Sequence, residues 1–170
     1  MWIFTIIIII FVVVAAVLSG KKGEEEKRLP YTKKDYLLTK AEAEFFKALE
    51  KATENKYYIF PQVNLSDLFF VKARKEAYYK YRNKIDRKSV DFVLAEKENL
   101  KLLLAIELDD ISHSYGKRKE RDNFVEKAFK DAKLTLIRIN YKKSYNIQEI
   151  SDVINNAINR NKESLNGSKG

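Results

Sequence analysis

The sequence predicts an α/β sandwich built on a mixed sheet, and three observations carry that prediction. Two short apolar runs, Lys88-Ser-Val-Asp-Phe-Val-Leu94 and Leu102-Leu-Leu-Ala-Ile-Glu-Leu-Asp109, flank a polar stretch over residues 96–101 and read as a β-hairpin. Residues 117–132 then place Phe124, Val125, Ala128, Phe129 and Ala132 on one helical face. The run Leu134-Thr-Leu-Ile-Arg-Ile139 follows as a further strand. A strand, helix, strand order of this length implies a right-handed crossover between parallel strands.

The remaining elements follow in order. Residues 2–18 carry no charge, and a helix across a bilayer core takes about 17–25 such residues. A cleaved signal peptide is the rival reading, but it normally has a basic leader and an Ala-x-Ala-like site. No Lys or Arg precedes this run, and Ala15, Ala16, Ser19 and Gly20 do not match that site cleanly. Residues 1–20 are therefore expected to form one N-terminal transmembrane helix. Lys21, Lys22, Lys27 and Arg28 follow it, so the positive-inside rule puts the C-terminal domain on the cytoplasmic side of the inner membrane.

Residues 21–37 are charged and read as a linker. Thr39-Lys-Ala-Glu42 is a capping-box pattern opening a helix to about residue 53, with Phe45, Phe46 and Leu49 as its apolar stripe. Residues 57–63 form a strand that Pro61 confines to an edge or a bend. Residues 65–87 are expected to be helical in part. A final helix covers residues 145–159, with Ile147, Ile150, Ile154, Ala157 and Ile158 on one side. The folded domain is thus expected over residues 38–160, with residues 161–170 as a disordered tail.

Composition narrows the chemistry. The 170 residues carry a formal net charge of +9, which favours anionic partners such as nucleic acid or a membrane surface. There is no cysteine, which excludes disulfides, zinc-thiolate sites, a cysteine nucleophile and a lipoprotein acyl anchor. The single histidine, His113, excludes any site that needs two.

The most informative pair is Asp91 and Glu107, sixteen residues apart. A hairpin centred on Asn99 puts them directly opposite, with Cβ atoms about 4.5–5.5 Å apart. Like charges that close repel unless a proton or cation lies between them. Asp109 shares the face of Glu107, since side chains two apart on a strand point the same way. Three carboxylates on one patch suggest a divalent-metal site for Mg²⁺ or Mn²⁺, because hard ions take oxygen ligands. The alternative is a set of solvated acids at a sheet end.

Around them stand further candidates. His113 follows the acidic strand closely and could shuttle a proton. Lys117 and Arg121 lie one helical turn apart, and either meet the carboxylates and a phosphate or reach out to water. Arg138 sits inside an apolar strand, where an unpaired guanidinium is costly, so pairing with Asp122 or Glu126 competes with substrate contact. Glu42 has a sufficient role in its capping box and could also stand behind the metal ligands, as could Gln62. Lys72, Arg74, Lys75, Lys80, Arg82, Lys84, Arg87 and Lys88 interleave with tyrosines. Such a stretch either tracks a nucleic-acid backbone, with Tyr78, Tyr79 and Tyr81 stacking on bases, or is a solvated helix with tyrosines packed underneath.

The blocks Leu38-Thr-Lys-Ala-Glu-Ala-Glu-Phe45, Phe60-Pro-Gln-Val63, Lys88-Ser-Val-Asp-Phe-Val-Leu94, Ala105-Ile-Glu-Leu-Asp-Asp-Ile-Ser-His113, Arg121-Asp122 and Leu136-Ile-Arg-Ile139 together resemble a bacterial family. It is the domain of unknown function 2726, within the restriction-endonuclease-like, PD-(D/E)XK nuclease superfamily. The chain is more distantly similar to very-short-patch-repair-type endonuclease domains. The resemblance covers about residues 38–158. It implies a central mixed four-stranded sheet flanked by helices, with Asp91 and Glu107 at the positions of the superfamily's acidic metal ligands. Asp109 stands where the commoner pattern has a lysine, and His113 or Lys117 could compensate for that. The expectation is a membrane-anchored, Mg²⁺-dependent nuclease-like hydrolase acting on DNA or RNA. A catalytically silent nucleic-acid-binding member and a membrane-tethered interaction module are the alternatives.

Overall fold

The computed structural model describes residues 2–19, 28–109 and 117–166. The chain divides into two units, Met1–Asp35 and Tyr36–Gly170. The first contains helix α1, Trp2–Ser19, of 18 residues. At about 1.5 Å per residue it is about 27 Å long, short of the roughly 30 Å hydrocarbon core of a bilayer. Among the described residues no helix is long and apolar enough to cross a membrane. The transmembrane anchor expected over residues 1–20 is thereby corrected, and the inner-membrane location with it. The positive-inside rule orients a spanning helix, and no such helix is present among the described residues for Arg28 to orient; Lys21, Lys22 and Lys27 lie outside them.

The second unit begins with α2, Lys40–Thr53, and its capping box is formed. The Thr39 hydroxyl accepts the Glu42 backbone N–H at 3.3 Å, and the Glu42 carboxylate accepts the Thr39 N–H at 2.7 Å. After a left-handed turn at Glu54 the chain enters β1, Tyr57–Asn64. Two helices follow, α3 at Leu65–Leu68 and α4 at Lys75–Asp86. The hairpin is β2, Ser89–Glu96, and β3, Leu102–Asp109. The crossover helix α5, Lys117–Ala132, leads to β4, Leu136–Asn140, and α6, Ile147–Asn166, ends the described chain. Residues 161–166, expected in a disordered tail, continue α6, and the Asn161 amide donates to the Leu103 carbonyl at 3.2 Å. That bond ties the helix to the sheet beyond the last turn of its apolar stripe.

The sheet is four-stranded in the order β1-β2-β3-β4. The first three strands are antiparallel neighbours and β3 pairs with β4 in parallel. Pro61 is on β1, an outer strand, where its missing N–H breaks no central ladder. The hairpin register is Phe92↔Ile106, so it is centred on residue 99 as the polar stretch predicted, with an irregularity at Leu94/Ala95.

Helices cover both faces. On one, Phe45 and Leu49 of α2 and Ile150, Ile154 and Ile158 of α6 pack on Phe92, Leu94, Leu104 and Ile106. On the other, Leu65, Ile85, Val125 and Phe129 from α3, α4 and α5 pack on Val90, Val93 and Ala105. The central strands are buried on both sides, which is why they read as continuous apolar runs rather than alternating ones. Phe92 is the hub of the first layer, its ring centroid 5.5 Å from that of Phe45 and 6.0 Å from that of Phe46. We expect Phe92→Ala to cost about 3–5 kcal/mol, read as a lowered urea midpoint with an unchanged slope.

Candidate functional site

The acids gather at the end of the sheet where β2 begins and β3 ends. Here β1 is irregular. Gln62 has φ +53°, a left-handed conformation uncommon for a residue with a Cβ and costing about 1–2 kcal/mol. The pairing of β1 with β2 runs Pro61↔Phe92 and then Val63↔Val90, stepping over Gln62 and Asp91. Val90 and Phe92 consequently pack into opposite layers although they are two residues apart. Strict alternation would have put them on one face. Backbone strain of this kind is often held where a side chain must be aimed.

The residue so aimed is Asp91. Its Oδ2 accepts the Leu108 backbone N–H at 2.8 Å, just past the last paired residues of the hairpin. Gln62 hydrogen-bonds to Asp91 from one side, and its Nε2 donates at 2.9 Å to Glu42 Oε1 on the other. Glu42 thus serves two roles, one oxygen capping α2 and the other holding Gln62. Burial pushes the Asp91 carboxyl above the ordinary aspartate range. The neighbouring carboxylates Glu42 and Asp109 add to the rise, while the hydrogen bonds from Leu108 and Gln62 oppose it.

Glu107 and Asp109 are held differently. Arg138, paired with Glu107 in the parallel β3–β4 register, places its Nη1 3.0 Å from Glu107 Oε2 and 2.9 Å from Asp109 Oδ1. Its Nε lies 3.3 Å from Glu126 Oε1 of α5. One guanidinium fork therefore serves three carboxylates. Glu126 was one of the two partners the sequence suggested for Arg138. The acids are thus divided, Asp91 leaning towards α2 through Gln62 and Glu42, and Glu107 with Asp109 lying towards α5 through Arg138. Among the described residues no three Asp, Glu or His side chains are gathered so as to hold a metal ion.

The matching family model is that for a protein of unknown function, DUF2726, and it covers residues 34–158. The chain belongs to the DUF2726 family. No curated protein and no solved structure matches it.

Of the other residues singled out in this DUF2726 chain, His113 lies outside the described residues. Lys117 and Arg121 are described only as backbone in the opening turns of α5. The basic stretch lies on and around α4. Lys72 and Arg74 precede α4, which carries Lys75, Lys80, Arg82 and Lys84, and Arg87 and Lys88 lead from it into β2. Arg82 is engaged with Asp86 at 2.8 Å. Of the whole helix only Ile85 is buried, and Tyr78, Tyr79 and Tyr81 are all exposed, so these tyrosines are not packed underneath.

Sequence reasoning missed the partnership of Tyr141 and Glu44. The Tyr141 N–H donates to the Asp109 carbonyl at 2.8 Å, and its hydroxyl donates to Glu44 Oε2 at 3.3 Å. This joins the acidic end of β3 to α2. No local pattern marks Glu44, because its partner is 97 residues away in sequence.

Two outcomes test this electrostatic account. Because the folded pKa of Asp91 is raised, the native state binds its proton more tightly than the unfolded chain, and stability falls as pH climbs through that window from about 4. Asp91→Asn removes the penalty and keeps an acceptor for Leu108, so its melting temperature should exceed wild type at pH 8 and converge with it near pH 3. Arg138→Met should cost about 2–3 kcal/mol, less than a fully buried pair because the site is partly open. Adding Glu107→Gln should recover part of that loss, giving a coupling of about 1 kcal/mol or more in a double-mutant cycle.

Proposed function

We propose that this DUF2726 domain is a nuclease-like hydrolase of the PD-(D/E)XK type, acting on phosphodiester bonds of DNA or RNA. The observation that carries the reading is the acidic end of the β2–β3 hairpin. Asp91 and Glu107 occupy the next positions beyond the Phe92↔Ile106 pair, inside a helix-flanked mixed sheet. Support for a cation comes from the donors themselves. They are all carboxylate oxygens, the set hard divalent ions take, and Asp91 bears the electrostatic cost of its acidic neighbours.

Asp91 and Glu107 would offer the one or two carboxylates that Mg²⁺ or Mn²⁺ takes, and the ion when bound would supply Lewis-acid polarisation of a phosphoryl oxygen. The chain's own residues do the rest. Gln62 and Glu42 fix the direction of Asp91, and Arg138 fixes Glu107 and Asp109 while adding positive charge beside them. Asp109 stands at the usual lysine position, and Arg138 on the adjacent strand brings a cation to the same neighbourhood. His113 is the proposed proton carrier, and Lys117 and Arg121 the proposed phosphate ligands. Arg87 and Lys88 lead directly into the strand that carries Asp91 and supply further positive charge for the substrate.

A second reading has its own observation. Arg138 already neutralises part of the Glu107 and Asp109 charge, and a domain so balanced can bind nucleic acid without cleaving it. Incubating the full chain with single- and double-stranded DNA and RNA, with Mg²⁺ or Mn²⁺, decides between them. Hydrolysis should need the metal and fall by about 100-fold or more in Asp91→Ala and in Glu107→Ala. Cleavage that survives both substitutions overturns the nuclease assignment. Metal-independent binding without turnover establishes the second reading.

A further inference from the structure

A groove of about 1100 Å³ lies between the segment after α3, helix α4 and helix α5. Among the described residues its floor is aliphatic, Asp131 is its one acidic residue and is paired with Lys127 at 3.2 Å, and the rest of the lining is aromatic or basic. Phe69, Phe70, Tyr81 and Phe124 are aromatic, and Lys72, Lys84, Lys127 and Lys133 are basic. Phe70 is 97% exposed and Tyr81 49%, and just outside the groove Tyr79 is 66% exposed. None of these three side chains serves the core. Lys84 and Lys88 both place their ammonium groups over the Phe124 ring, 5.3 and 5.2 Å from its centroid. Cationic charge and aromatic faces are therefore held together along one open surface.

We propose that this groove and the adjoining face of α4 bind single-stranded nucleic acid, with unpaired bases stacking on Phe70 and Tyr81 and phosphates following the lysines. The proposal rests on the nucleic-acid part of the preceding reading and names its substrate class. Three considerations select a single strand. Stacking on exposed aromatics requires base faces, and a duplex keeps its base faces inside. A protein partner fits poorly, because lysine is depleted at the centre of protein interfaces and is here the dominant base. Between Lys72 and Lys88 there are eight Lys or Arg residues against Glu76 and Asp86, and Asp86 is already paired with Arg82, so the surface calls for a polyanion. The track also leads somewhere. It runs along α4 into Lys88, three residues before Asp91, a span of about 10 Å of extended chain at most.

The test separates binding from chemistry by working in EDTA. Fluorescence anisotropy of the full chain is measured with a labelled oligodeoxythymidine of about 15 nucleotides, near the upper site size for such surfaces, and with the same strand paired to oligodeoxyadenosine. The single strand should bind at least tenfold more tightly. Phe70→Ala and Tyr81→Ala should each weaken single-strand binding by about 5- to 150-fold, the range expected for loss of one stacked base, and leave duplex binding unchanged. Lys84→Gln should weaken both ligands and flatten the salt dependence. Phe70 is so exposed that its substitution should leave the melting temperature unaltered, which serves as the folding control. Equal affinity for strand and duplex, or single-strand binding indifferent to Phe70→Ala and Tyr81→Ala, overturns the proposal. Binding as expected with no hydrolysis in Mg²⁺ leaves it standing while the nuclease reading fails. Hydrolysis of duplex alone, without single-strand binding, does the reverse.

Discussion

The antiparallel pairing of β2 with β3 is the constraint on which the other elements depend. Both strands are covered by helices on both faces, so nearly every side chain in them has a defined layer to enter. A slip of one residue would exchange Phe92, Leu94 and Ile106 with Val93 and Ala105 and would leave both layers misfilled. The short polar turn over residues 96–101 holds the register locally, with Leu100 in a left-handed conformation and the Asn99 side chain accepting the Lys101 N–H at 2.8 Å. Once that register is set, α2 and α6 have one surface to cover, and α3, α4 and α5 have the other. The acids are then placed at the hairpin's open end as a consequence of the core.

That open end shows how a sheet accommodates charge at its margin. Asp91 is satisfied by a backbone N–H beyond the last ladder pair and by Gln62, whose left-handed backbone turns its amide towards the acid. Glu107 and Asp109 are satisfied by Arg138, delivered from the neighbouring parallel strand at the matching register. Neither arrangement fully relieves Asp91, whose carboxyl stays raised by burial and by its acidic neighbours. Charge is therefore left incompletely balanced at this margin. The cost is borne by a core that is otherwise apolar and closely packed on both sides of the sheet.

The surface on the α4 side follows the opposite logic. A helix with one buried residue contributes little to the core, yet this one carries three exposed tyrosines and a dense set of bases. Exposed aromatics next to ammonium groups cannot be explained by packing. They are the basis of the single-strand proposal, in which something flat and anionic lies against them.

Much of the architecture was legible because it is written in local patterns. The capping box at Thr39 and Glu42, the apolar stripes of α2, α5 and α6, and the hairpin centred on residue 99 each depend on neighbours a few residues apart. The edge position of β1 was legible too, from the single missing N–H of Pro61. Residues 1–20 carry an uninterrupted apolar run that resembles a membrane span, whereas the helix it forms is about 3 Å shorter than a bilayer core of roughly 30 Å. The site was legible only in its ingredients. Sequence alone determined which acids would reach one end of the sheet, because strand register follows from turn length and apolar pattern. Only the tertiary structure decided how those acids are held. Gln62 reaching Glu42, Arg138 bridging Glu107, Asp109 and Glu126, and Tyr141 meeting Glu44 are contacts between elements far apart in the chain. Their partners are chosen by packing in space, which no local spacing encodes.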